Sequence, residues 1–238
     1  MNPTKPGKRV KRALWLAVGL LMLIGATVVV RRTIVLVPVL INGYQPPAAA
    51  SAPTAALDDV FARYPVLTLI HIIPGLLFIT LWPLQFSATL RRHALGWHRW
   101  SGRVAVVCGL IIGASALVMS VAMPAIGGVN QAASTLLFGL FFLFALVNAF
   151  RHIRRRNIAL HREWMIRAFS VGLAVATIRP IIGMFFATSL ISGLAPYEFF
   201  GTAFWIGFTL HLIAAEVWIH WTRPTLAAPQ QPRQQVSG

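Results

Sequence analysis

The chain has 238 residues and a mass of 26.1 kDa, with 57% hydrophobic residues, only 11% charged residues and a mean hydropathy of +0.72. Soluble domains carry roughly a quarter charged residues, so this composition excludes a disordered chain, a disulfide scaffold and an ordinary soluble enzyme; it fits a polytopic membrane protein. The formal charge of +16 comes from 21 Lys+Arg against 5 Asp+Glu. In a soluble protein it would point to a polyanion; in a membrane protein it encodes orientation. The single cysteine, Cys108, lies in an apolar run and leaves no intrachain disulfide and no cysteine metal motif.

A hydrocarbon core about 30 Å thick needs roughly 20 apolar residues of helix, and six stretches meet or approach that length. The first, Ala13–Val30, follows a basic segment (Lys5, Lys8, Arg9, Lys11, Arg12) and ends at Arg31-Arg32. Its apolar run is longer than a usual signal-peptide core and no small-residue cleavage pattern follows, so an uncleaved helix is expected. Gln45 to Ala56 (QPPAAASAPTAA) reads as an irregular loop. The second span is Pro65–Leu90, the third Arg103–Ile126, the fourth Ala132–Phe150, the fifth Trp164–Leu190 and the sixth Thr202–Trp221. The Pro- and Gln-rich tail after Trp221 reads as disordered. The expected organisation is a membrane helix in 1–30, an extracytoplasmic loop over 31–64, a five-helix domain over 65–222 and a cytoplasmic tail from 223. The fold class is all-α, a transmembrane bundle of about six helices.

The charges sort by side. Seventeen of the 21 basic residues fall in the N-terminal segment, the two loops after spans two and four, and the tail. The opposite side has Arg31, Arg32 and Arg63 with Asp58, Asp59 and Glu198, and Arg179 lies within a span. By the positive-inside rule both termini are cytoplasmic. Dispersal over four segments removes the nucleic-acid reading and leaves lipid, with its anionic head groups, as the expected partner.

The two basic loops match in register. RRHALGWHRWSGR (Arg91 to Arg103) and RRRNIALHREWMIR (Arg154 to Arg167) each place His-Arg five residues after Arg-Arg, then a Trp, then an Arg at the mouth of the next span. The match predicts a repeated helical hairpin. It also singles out Arg91, Arg92, His98, Arg99, Arg103, His161, Arg162 and Arg167 as an inner-face group suited to an anionic head group. These two segments, together with HIIPGLLFITLWPLQFS (His71 to Ser87), VATIRP (Val175 to Pro180) and AAEVW (Ala214 to Trp218), resemble the DUF2306 family of predicted bacterial membrane proteins. The resemblance covers about residues 65 to 220. It implies a multi-helix integral membrane protein of a bacterial inner membrane, and it implies no particular activity.

Polar groups inside a span are expensive and therefore informative. They are His71, Gln85, Arg179, His211 and Glu216. At 1.5 Å per residue, His71, Arg179 and His211 fall in the outer half of the bilayer, and Gln85 and Glu216 near its inner face beside Arg103 and Arg167. His71, Gly75, Phe78, Trp82 and Gln85 recur at helical spacing, a stripe expected to face the bundle, with Gly75 permitting close helix approach. His211 and Glu216 are five residues apart and are expected to serve separate neighbours.

Three functions are compatible with this pattern. The simplest is a non-catalytic or accessory membrane protein in which the polar groups are structural. A second is a redox protein whose His71 and His211 clamp a haem b iron, with Arg179 on a propionate. A third is a transporter of a small solute or protons, using Glu216 and Arg179. No phosphate loop, nucleophile elbow or zinc-protease motif is present in the sequence.

Overall fold

In lipid an apolar run must satisfy its own backbone, and helix is the way a single segment does so. The computed structural model describes residues 7–46 and 55–223. Among the described residues there are eight helices: α1 (Lys8–Asn42), α2 (Ala55–Ala62), α3 (Pro65–Phe86), α4 (Ala88–His93), α5 (Leu95–Ala122), α6 (Gly128–Arg154), α7 (Ile158–Ser192) and α8 (Pro196–Thr222). Six of these are long and apolar enough to cross a membrane, namely α1, α3, α5, α6, α7 and α8. The expected loop over Gln45 to Ala56 falls mostly outside the described residues, as do Lys5 and the tail beyond Arg223.

Most helix ends differ from expectation by a few residues, and the clearest cases have local reasons. Helix α1 does not stop at Arg31-Arg32 but runs on to Asn42, because both arginines find a counter-charge in Asp58 and the following TIVLVPVLI is itself apolar. The segment expected as a loop from 31 to 64 therefore holds the end of α1 and the short α2. The His-Arg segments are not loops either. They form the opening turns of α5 and α7, which start at Leu95 and Ile158. The turn before α7 is tight: Arg156 takes a left-handed φ of 58°, and the Asn157 side chain caps the helix by accepting from the Leu160 N–H at 3.1 Å. Before α4, Ser87 does the same for Leu90 at 3.2 Å. Helix α5 ends at Ala122, short of Ile126, with Pro124 unable to continue it.

The connectivity gives a ring. Helix α1 packs on α3 and α7, α3 on α5, α5 on α6, and α6 on α7, while α8 lies outside against α6 and α7. Helix α7 touches α1, α3, α6 and α8 and is the most buried of the spans. Glycines let neighbours close up where the ring is tight. A Cβ on Gly207 of α8 would sit 2.5 Å from Ile178 of α7, and one on Gly109 of α5 would sit 2.7 Å from Leu146 of α6.

The ring interior is filled unevenly. Toward the basic end it is plugged by aromatic rings: Trp82 stacks on Phe169 at 4.9 Å and touches Phe78 at 5.1 Å, and Phe78 meets Phe142 edge-on at 5.6 Å. Trp82 is fully buried and its indole N–H has no partner among the described residues. Toward the opposite end the ring holds a cavity of about 280 Å³, with α2 and the α5–α6 connection at its rim.

Candidate functional site

Helix α3 supplies one wall of the cavity because the stripe predicted from its sequence does face inward. His71, Gly75 and Phe78 line the cavity, Trp82 lies in the plug, and Gln85 turns to α5. The role expected for Gly75 is corrected. A Cβ there would meet nothing within 4 Å, so this glycine widens the cavity and does not bring helices together. Gly172 on α7 does lie tight, since its Cβ would be 2.9 Å from Phe78, and it fixes α3 and α7 at one level. Apolar side chains make most of the wall, including Ile72, Ile112, Phe142, Val171 and Phe208.

The polar groups of the cavity sit together away from the aromatic plug. His71 Nδ1 is 3.0 Å from Ser115 Oγ on α5. Arg179 of α7 lines the cavity and is an electrostatic neighbour of both His71 and Arg32. Arg32 is itself buried and paired with Asp58 at 2.5 Å. Arg179 forms no hydrogen bond or ion pair among the described residues. Helix α7 stays continuous at Pro180, although this proline cannot donate to the carbonyl of Ala176, another cavity-lining residue.

Helix α2 covers this end. Asp58 accepts from Arg31 (2.6 and 3.1 Å) and from Arg32, and the Arg32 guanidinium lies 4.3 Å above the Phe61 ring. Burial alone would raise the Asp58 carboxyl, but the hydrogen bond and charge of Arg31 and the charge of Arg32 outweigh it and hold it below the usual carboxylate range. Asp59 accepts from the Tyr44 hydroxyl and from Arg63 at 2.8 Å, which hold it low as well. The sequence placed these charges on one side of the membrane; it did not show that they fasten α2 over a cavity.

The outer group expected from depth is only partly brought together. His71 and Arg179 share the cavity. His211 does not line it, and its Nε2 lies 2.7 Å from Thr177 Oγ1 on α7. Helix α7 packs between α3 and α8 over this part of the bundle. The two histidines therefore do not face one another, and this donor set does not fit a single haem iron. Glu216 and Arg179 are not joined either. Glu216 is tied to Arg167 by two hydrogen bonds of 2.6 and 2.9 Å at the basic end, and the aromatic plug separates that end from the cavity.

At the basic end the matched His-Arg segments come close, His98 and His161 being electrostatic neighbours, as are Arg91 and Arg162. With the Gln85 amide oriented so that both its ends find partners, its oxygen accepts from the Gly102 N–H at 3.1 Å and its nitrogen donates to His98 Nδ1 at 3.2 Å. Arg91 donates to the Gln85 carbonyl at 3.0 Å. His161 Nδ1 is 2.9 Å from the Ala149 carbonyl, and Arg162 donates to Thr222. Glu163, passed over in the sequence, is the centre of this end. It is buried, accepts from Arg223 at 2.8 and 2.9 Å, and lies 3.9 Å from Arg167. Its position between His161-Arg162 and Arg167, one acid among bases, was the available signal. Arg92, Arg99 and Arg103 remain exposed, with Trp97 and Trp100 exposed beside them.

Six apolar helices and a basic end define a multi-pass α-helical membrane protein. The match of the family model described as "Predicted membrane protein (DUF2306)" over residues 68–219 makes the identification specific: the chain belongs to the DUF2306 family. No curated protein and no solved structure matches it.

Proposed function

We propose that this protein is a non-catalytic binding protein of a bacterial inner membrane, holding one small molecule inside its helix ring, with both termini in the cytoplasm. The cavity carries the reading. Native interiors pack to about 0.75 density with few voids larger than a water, and an apolar cavity of ~150 Å³ is already enough to admit benzene. At about 280 Å³, this one approaches the lower end of ordinary ligand pockets. Its volume suits a compact or single-chain molecule. The orientation rests on the basic excess at one end of the bundle. There the exposed Arg92, Arg99 and Arg103, with Trp97 and Trp100, meet anionic lipid head groups and anchor the helices.

The test uses the fluorescent apolar probe 1-aminoanthracene and protein in nanodiscs. The wild type is expected to bind it saturably at one per chain. Gly75→Leu, which fills open space, should abolish that binding, whereas Gly19→Leu on the exposed face of α1 should leave it intact. Equal binding by all three proteins would refute the assignment.

A further inference from the structure

The cavity is polarised along its length. His71 and Arg179 are neighbours at one level; Phe78 and Gly172 are neighbours at another. On each helix the two levels are seven residues apart, roughly 10 Å at 1.5 Å per residue, and the agreement between antiparallel α3 and α7 fixes the axis. The level near α2 has Arg179, His71, Thr68 and Arg32. The level near the plug has Phe78, Phe142, Gly75 and Val171 and offers only hydrocarbon.

The charge at the polar level is not balanced. Arg31, Arg32 and Asp58 form a group of their own at the cap. Arg179 adds a further positive charge facing the cavity, and among the described residues no carboxylate lines that space. It lies twelve residues along α7 from Arg167, roughly 18 Å into the span, where an arginine without a counter-charge is costly and marks a functional site. A guanidinium has no neutral form at ordinary pH and offers a planar fork that matches a carboxylate or phosphate.

We propose that the occupant of the cavity is a single-chain amphiphile with an acidic head, a carboxylate or a phosphate monoester. Its head pairs with Arg179 beside His71, and its chain lies toward Phe78 and Phe142. This rests on the cavity being a ligand site and adds the chemistry of the ligand.

Displacement of 1-aminoanthracene by decanoate, decyl phosphate and decanol tests it. For the wild type, decanoate or decyl phosphate should displace the probe at roughly 10- to 100-fold lower concentration than decanol, the range expected for a hydrogen bond to a charged group. The stronger of the two acids identifies the head group. Arg179→Gln should remove the advantage, and Arg179→Lys, which keeps the charge without the fork, should restore part of it. If probe binds but decanol competes as well as the acids, or if Arg179→Gln preserves the preference, the acidic head is refuted while the cavity site stands. If no probe binds to the wild type, both fall together.

Discussion

The fastening of α2 makes an asymmetric prediction. Asp58 accepts from two arginines, and these differ in burial: the Arg31 side chain is 50% exposed and Arg32 only 7%. Asp58→Asn removes the counter-charge of both. Arg31 can turn to water, but Arg32 is left buried without a carboxylate. Breaking a buried pair from one side costs about 3–5 kcal/mol, and the lower end applies here because Asp58 itself is partly exposed. Arg32→Met is the opposite cut. It leaves Asp58 with Arg31, a largely solvated pair of about 1 kcal/mol or less, and keeps an apolar contact with Phe61. A chain of this size loses about 2–4 °C in Tm per kcal/mol. Thermal unfolding in detergent should therefore show Asp58→Asn lower by roughly 6–12 °C and Arg32→Met by about 4 °C or less. Hydrogen exchange in α2 should accelerate only in the first. Equal losses for the two variants, or none for Asp58→Asn, would refute the claim that a buried arginine fastens the cap.

Other outcomes follow from the same geometry. Because the folded Asp58 carboxyl is held below its unfolded value, near 3.9, the stability it confers is complete above that value and is lost as pH falls through the lower folded pKa. Protection of the α2 amides relative to their intrinsic exchange at each pH should thus stay flat from pH 8 to 5 and fall only in acid below about 4; a fall near neutrality would assign the control to another group. Gly75→Ala should be stabilising by about 0.5–1 kcal/mol, the helix preference alone, while Gly207→Ala should cost about 1–3 kcal/mol by overpacking Ile178. Identical Tm shifts for these two would contradict the placement of the cavity. At the basic end, Glu163→Gln should destabilise by about 2 kcal/mol and Glu216→Gln by about 1 kcal/mol or less, since their side chains are 8% and 53% exposed. Denaturation in detergent that ranked them in the reverse order would move the centre of that network to Glu216.

Much of the architecture was legible in the sequence because lipid makes one demand, about twenty apolar residues per crossing, and charge makes a second. The stripe from His71 to Gln85 identified the inward face of α3 correctly, since a helix repeats regularly and a buried face tolerates few charges. Helix ends were less legible. Arg31-Arg32 looks like a terminus until Asp58, 26 residues from Arg32, is seen to neutralise it, and His161 looks like a loop residue until Asn157 is seen to set where α7 begins, while His98 lies in α5, which opens at Leu95 without a side-chain cap. The candidate site was half legible. Depth along each span put His71, Arg179 and His211 at similar levels, but depth does not give azimuth, and azimuth separates His211, facing Thr177, from the other two. Glu163 is hard to read for a related reason: in a run of arginines an acid reads as local compensation, and only the return of Arg223 from the end of α8 shows that it joins two helices. A cavity has no sequence signature at all, because it depends on which glycines face open space, as Gly75 does, and which are filled by a neighbour, as Gly207 is.

The most direct test of the central claim is to locate a bound molecule. The protein in nanodiscs, saturated with a brominated decanoate, would be imaged at a resolution that reveals bromine. The account predicts bromine density inside the ring beside Phe78 and Phe142, with the carboxylate within hydrogen-bonding distance of Arg179. Bromine density confined to the lipid-facing surface of the bundle, with the cavity empty under saturating ligand, would contradict it.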